Sequence, residues 1–213
     1  MLTGGVITIY VGPKRKEYQV HRGLLASNDY WSKILDSKLA EDSQIVHLPE
    51  QNPQTWDLFG NWLYRGSLKD ICVENEDVAK NLAIQYVILY TRAEKWAIPA
   101  LQNKIMDKLH AWSTSIRHLF PRYLTRQVYE ATPRDSPLRS YLVDSFLAES
   151  SLWVADCARA ATLKSQLNYG NQEFVLECFE ALIQLTPKSK LRAPDRKIAC
   201  TYHKHEDGKR CTK

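Results

Sequence analysis

The chain has 213 residues, 44% of them hydrophobic and 25% charged, with a formal net charge of +5. That composition suits a globular protein, and no run approaches the roughly 18 consecutive apolar residues that a membrane span needs. The start of the chain has no basic region leading into an apolar run and a small-residue cleavage site, so no secretory signal is expected.

Val6 to Val11 is rich in β-branched residues and stops at Gly12-Pro13, which predicts a strand. With Glu17 to Val20 it makes a hairpin around a basic loop. Leu24 to Ala26 reads as a short helix. Ser27 or Asn28 can cap the next helix, where Tyr30, Trp31, Ile34 and Leu35 recur at helical spacing. Gln44 to Leu48 is a strand ending at Pro49. Asn52-Pro53 starts a helix that runs to Arg65, with Gly66 able to take the left-handed stop position.

Residues 67–78 read as a polar loop with a weak strand or turn. Val78 to Trp96 places Leu82, Tyr86, Leu89 and Ala93 on one helical face. A second helix from Ile98-Pro99 turns Leu101, Ile105, Met106 and Leu109 inward, and the two predict an antiparallel hairpin closing near Trp112. Ser113-Thr114-Ser115 and Pro121 mark a joint. Helices are then expected over 122–131, 138–149, 152–167 and 172–185, with breaks at 132–137 and 168–171. From Lys188 onward little is available to bury, so disorder or weak order is expected there. The expected division is 1–112, a helical extension over 113–187, and a basic tail over 188–213.

Three pieces of the first half carry a family resemblance. One is Tyr18-Gln19-Val20-His21-Arg22-Gly23-Leu24-Leu25-Ala26-Ser27, followed by Tyr30-Trp31. The second is Ile45-Val46-His47-Leu48-Pro49-Glu50, with Phe59 and Trp62-Leu63-Tyr64-Arg65-Gly66 after it. The third is the helix pair with Tyr86, Leu89, Ala93, Trp96 and Leu101. Together, over about residues 5–112, they resemble a BTB/POZ domain, most of all fungal BTB proteins with a helical C-terminal half. The resemblance implies an α+β fold, a small mixed sheet flanked by helices and a helical hairpin, followed by an all-α extension. Gly4-Gly5 stand where the family often has Asp, and the strand and helix used for domain-swapped dimers are not seen. A homodimer of that kind is therefore not expected.

The resemblance implies a non-enzymatic protein-interaction module. Leu39-Ala40-Glu41 resembles the hydrophobic-x-Glu element by which BTB adaptors hold the cullin scaffold of ubiquitin ligases. Leu39 would be the apolar anchor, with the Glu41 carboxylate fixing register. The plainer reading is a polar loop with one apolar residue folded back. No kelch, MATH or zinc-finger receptor domain accompanies the element.

His21 has no Ser, Cys or orienting carboxylate marked around it, and nucleophilic catalysis needs all of these in register. No P-loop, dinucleotide-binding, hydrolase-elbow or zinc-protease motif is present, so no enzyme is expected. Of the six Trp, one left exposed on a helix would make an interface anchor.

The positive charge sits at the end of the chain. Residues 188–213 carry nine Lys/Arg and three Asp/Glu, against twenty and twenty-one in the remainder. An alternative function follows, a nuclear protein contacting nucleic acid through the tail, although Tyr202 is its one aromatic. Cys200, His203, His205 and Cys211 are four candidate zinc ligands, spaced Cys-x2-His-x-His-x5-Cys, which is not a standard finger. The plainer reading is a solvated tail with incidental His and Cys, and no other cofactor is expected. Five cysteines at irregular spacing, Cys72, Cys157 and Cys178 with the two in the tail, predict reduced thiols and a cytoplasmic or nuclear setting.

Overall fold

The structure is a computed structural model and describes residues 5–39, 45–72, 74–116, 124–153, 171–184 and 202–204. Strand β1 (Val6–Val11) lies at the centre of a three-stranded sheet. It pairs antiparallel with β2 (Lys16–His21) and parallel with β3 (Ile45–Leu48), giving the order β2-β1-β3. Ile7, Ile9 and Val11 turn one face of β1 into the core, and Val46 and Leu48 join them from β3.

The register is secured at Gly12, whose φ is +75° and whose N–H donates to the Leu48 carbonyl at 3.0 Å. A Cβ there would meet Pro53 at 3.1 Å and the Gln51 carbonyl at 3.2 Å, so both conformation and space require glycine.

Two short helices, α1 (Arg22–Ala26) and α2 (Asp29–Leu39), separate β2 from β3. Helix α3 (Pro53–Arg65) starts and stops where the sequence predicts. The Asn52 side chain accepts from the Gln54 N–H at 2.7 Å, and Gly66 at φ +66° donates to the Trp62 carbonyl at 2.7 Å.

Helices α4 (Glu76–Lys95) and α5 (Pro99–Ile116) form the expected hairpin. Helix α4 begins two residues before the expected Val78 because Asn75 caps it, accepting from the Val78 N–H at 3.1 Å.

Helix α5 continues through Ser113-Thr114-Ser115, with the Ser113 hydroxyl bonding the His110 carbonyl at 2.9 Å. Helices α6 (Thr125–Ala131), α7 (Pro137–Trp153) and α8 (Gln172–Gln184) follow. The break expected between 149 and 152 is absent. Ser150 and Ser151 disfavour a helix only mildly beside Gly or Pro, so α7 runs through them.

The molecule is therefore a mixed α+β structure, mainly helical around a small sheet. One hydrophobic core runs from Ile7 on β1 to Tyr202 near the end of the chain. The expected division at 112 falls inside α5, and α6 packs against both α4 and α7. No helix among the described residues is long and apolar enough to cross a membrane.

Candidate functional site

Three elements meet beside the sheet around an aromatic cluster. Trp31 of α2, Trp56 and Phe59 of α3, and Trp96 after α4 have ring centroids 4.7–6.3 Å apart, and all four are buried. Edge-to-face and offset packing of this kind adds about 0.5–1.5 kcal/mol per pair beyond the burial itself. Trp62 stacks on Phe59 from the outside at 6.1 Å and is only half-buried.

A groove of about 400 Å³ opens along the outer side of this cluster. Trp31 and Phe59 lie under it, while Leu24, Trp62, Leu63 and Ile98 contribute to its walls. Its size and apolar lining are those of a site that takes one or two apolar side chains. Trp31, Trp56, Trp96 and Trp112 are core residues and the side chain of Trp153 lies outside the described residues, so among the described residues Trp62 is the half-buried Trp the sequence could not single out.

Asn28 shapes the rim. Its Oδ1 accepts from the Trp31 N–H at 3.2 Å, capping α2, and its Nδ2 donates to the Trp96 carbonyl at 3.1 Å. The turn it grips carries Ala97 at φ +52°, a left-handed backbone that L-residues rarely adopt.

The other sequence candidates lie elsewhere. Leu39 is the last residue of α2, about 12 Å along the helix from Trp31 at 1.5 Å per residue. Its side chain, and all of Glu41, lie outside the described residues. His21 faces Tyr64 of α3. Its Nδ1 is 2.9 Å from the Tyr64 hydroxyl, which also accepts from the His21 N–H at 3.1 Å. This pair ties the end of β2 to α3 and places a phenol, not a nucleophile, against the imidazole.

Of the candidate zinc set, Cys200, His205 and Cys211 lie outside the described residues. His203 is described, and its Nε2 lies 2.8 Å from Asp107 Oδ1 on α5. Among the described residues, no group of three or more His, Cys, Asp or Glu side chains is placed to hold a metal ion.

Shifted acidities follow burial. The hydroxyls of Tyr86, Tyr90 and Tyr129 are pushed up by desolvation, and the Glu177 carboxylate beside Tyr129 pushes in the same direction. Burial raises the Cys178 thiol to about 12, with Glu177 adding to it. These groups stay protonated at neutral pH and serve as packing and hydrogen-bonding elements.

No protein-family model matches the chain, and no curated protein sequence does.

Proposed function

We propose that this chain is a protein-interaction module of BTB/POZ type that serves as a substrate adaptor for a cullin-based ubiquitin ligase. The observation that carries the reading is the sheet with its flanking helices. A parallel and an antiparallel pairing share one central strand, helices α1 and α2 flank the sheet, and a helical hairpin packs on α3, in keeping with the small mixed sheet, flanking helices and helical hairpin that the resemblance implies. Two further features support it. Leu39, the last described position of α2, opens the Leu39-Ala40-Glu41 tripeptide that resembles the docking element of such adaptors in sequence. The groove beside Trp62 offers a second apolar contact, anchored on a rigid aromatic cluster.

The test uses the purified chain and the N-terminal domain of a cullin in size-exclusion chromatography and calorimetry. A one-to-one complex is expected, lost in the Leu39→Ala/Glu41→Ala double variant while its melting temperature stays unchanged. Absence of a complex with the native chain removes the cullin assignment. An unaltered complex in the double variant removes the two residues from it.

A further inference from the structure

The cleft between α4, α5 and α7 holds the tripeptide Tyr202-His203-Lys204. Tyr202 is 1% exposed and sits edge-on to the Tyr141 ring, centroids 4.9 Å apart, with its hydroxyl donating to Asp144 at 2.8 Å. His203 meets Asp107 as described above. At Lys204, Asn103 reads both backbone groups. Its Oδ1 accepts from the Lys204 N–H at 2.8 Å and its Nδ2 donates to the Lys204 carbonyl at 3.0 Å. The Lys204 ammonium ends on the Glu94 carboxylate.

Glu94 makes this arrangement more than a docked chain end. Its side chain is 9% exposed, and it also accepts from Gln102 at 2.6 Å and Ser136 at 3.2 Å, both neutral. That burial is of the occupied cleft, and covering the carboxylate with only neutral donors beside it would be costly, so the chain that covers Glu94 has to bring a cation. The ring slot, the amide clamp and the carboxylate read features contained wholly within three residues. Another chain carrying the same pattern would present the same atoms to them. Asp107, Asp144 and Glu94 also set the charge of the ligand that fits.

We propose that this cleft is a recognition site for a peptide of pattern Tyr-x-Lys on a partner protein, and that Tyr202–Lys204 occupies it in cis as a resident competitor. The inference is independent of Leu39, Glu41 and the cullin reading. The 17 residues from 185 to 201 join α8 to the docked tripeptide. Because the tripeptide belongs to the same chain as the cleft, its docking is intramolecular, and a partner competes only when the resident is weakened or the partner's own match is longer.

The probe is a fluorescein-labelled synthetic copy of residues 198–206 carrying Cys200→Ser, titrated by fluorescence anisotropy against the full-length chain. Lys204→Glu places two carboxylates together and weakens the resident. This variant is expected to bind the probe at least about tenfold more tightly than the native chain does, since the cis competitor is reduced. Adding Asn103→Ala should return binding to the native level or below. A probe keeping only the Tyr-x-Lys pattern between Gly-Ser flanks should bind like the first, and a probe carrying Lys204→Glu should not bind.

Equal weak binding by native chain and variant overturns the proposal, as does binding indifferent to Asn103→Ala. His203→Ala is the second, milder variant. If both it and Lys204→Glu lose the cooperative thermal transition, the tripeptide is a permanent part of the core and the proposal fails. Dimerisation of the native chain through exchanged tails, seen by light scattering, replaces the partner with a second copy and overturns it too.

Discussion

Asn28 bonds the Trp96 carbonyl across 68 residues of sequence, and with its other end it starts α2. One side chain thus ties the helix that leads to Leu39 to the turn between α4 and α5. Asn28→Ala removes the cap and leaves the turn carbonyl without its side-chain donor. A loss of about 1–3 kcal/mol is expected, the sum of a helix cap and one partly buried hydrogen bond. Urea unfolding followed by circular dichroism measures it, with an unchanged slope showing that stability alone has moved.

Trp62 and Trp96 belong to the same aromatic cluster but should answer to truncation differently. Trp96 is 1% exposed at its centre, and Trp96→Ala should cost about 3–5 kcal/mol. Trp62 is half-buried at the groove wall, so Trp62→Ala should cost only about 1–2 kcal/mol, a share of the full burial energy. Thermal denaturation of the two variants separates core from groove wall. Comparable losses would remove Trp62 as a surface anchor.

Arg139 is a buried cation that closes α6. Its guanidinium donates to the Tyr129 carbonyl at 2.6 Å and to the Thr132 carbonyl at 2.5 Å, and reaches Glu173 of α8 at 2.6 Å. It also lies 4.3 Å from the Tyr129 ring centroid. Arg139→Ala should destabilise by about 2–4 kcal/mol, because two buried carbonyls lose their donor while Glu173 is left facing solvent. Arg139→Lys should recover little, since an ammonium cannot span three elements as the planar fork does. Chemical denaturation of both variants checks this. Near-native stability of the Lys variant would show that charge alone matters.

Stability should fall in alkaline solution. The Cys178 thiol is ordinary at 9.0 when solvated and is raised to about 12 in the fold. Below the unfolded value both states keep the proton, and the contribution is complete. Above it the unfolded chain ionises first, so stability is lost as pH rises from 9.0 towards about 12. Tyr86, Tyr90 and Tyr129 are raised from 10.0 and act in the same direction, which steepens the loss above that pH. Each group contributes up to about 1.4 kcal/mol per pH unit within its window. Urea midpoints measured from neutral pH upward test the trend. Iodoacetamide labelling read by mass spectrometry gives a second measure. Exposed Cys72 should react in the native protein, and buried Cys178 only after unfolding.

Much of the fold was legible wherever the chain carries its own instructions. The β-branched run Val6–Val11 stopping at Gly12-Pro13 marks a strand, and Asn52-Pro53 and Gly66 mark both ends of α3. Where prediction and structure part, the local signal was weak. Ser150 and Ser151 separate the two helical patterns in sequence, but serine lowers helix stability without forbidding it, and α7 runs through them. For Asn28 the sequence shows only a possible cap. Its bond to Trp96 has no sequence signature, because a side-chain bond over 68 residues depends on where the α4–α5 turn arrives. Tyr202 left one trace, a single aromatic in a polar basic stretch, which is the composition of an isolated anchor.

By itself the sequence determined most of the elements, the mixed α+β class and the buried faces of α4 and α5, because periodicity, caps and turn residues act within a few neighbouring positions. Only the tertiary structure decided that Trp62 lies at a groove and Trp96 in the core, since identical side chains differ there by what packs around them. It also decided that a lysine from the basic tail meets a carboxylate on α4. Lys204 and Glu94 lie 110 residues apart, and burial of the carboxylate, which no local pattern encodes, is what gives that lysine its place.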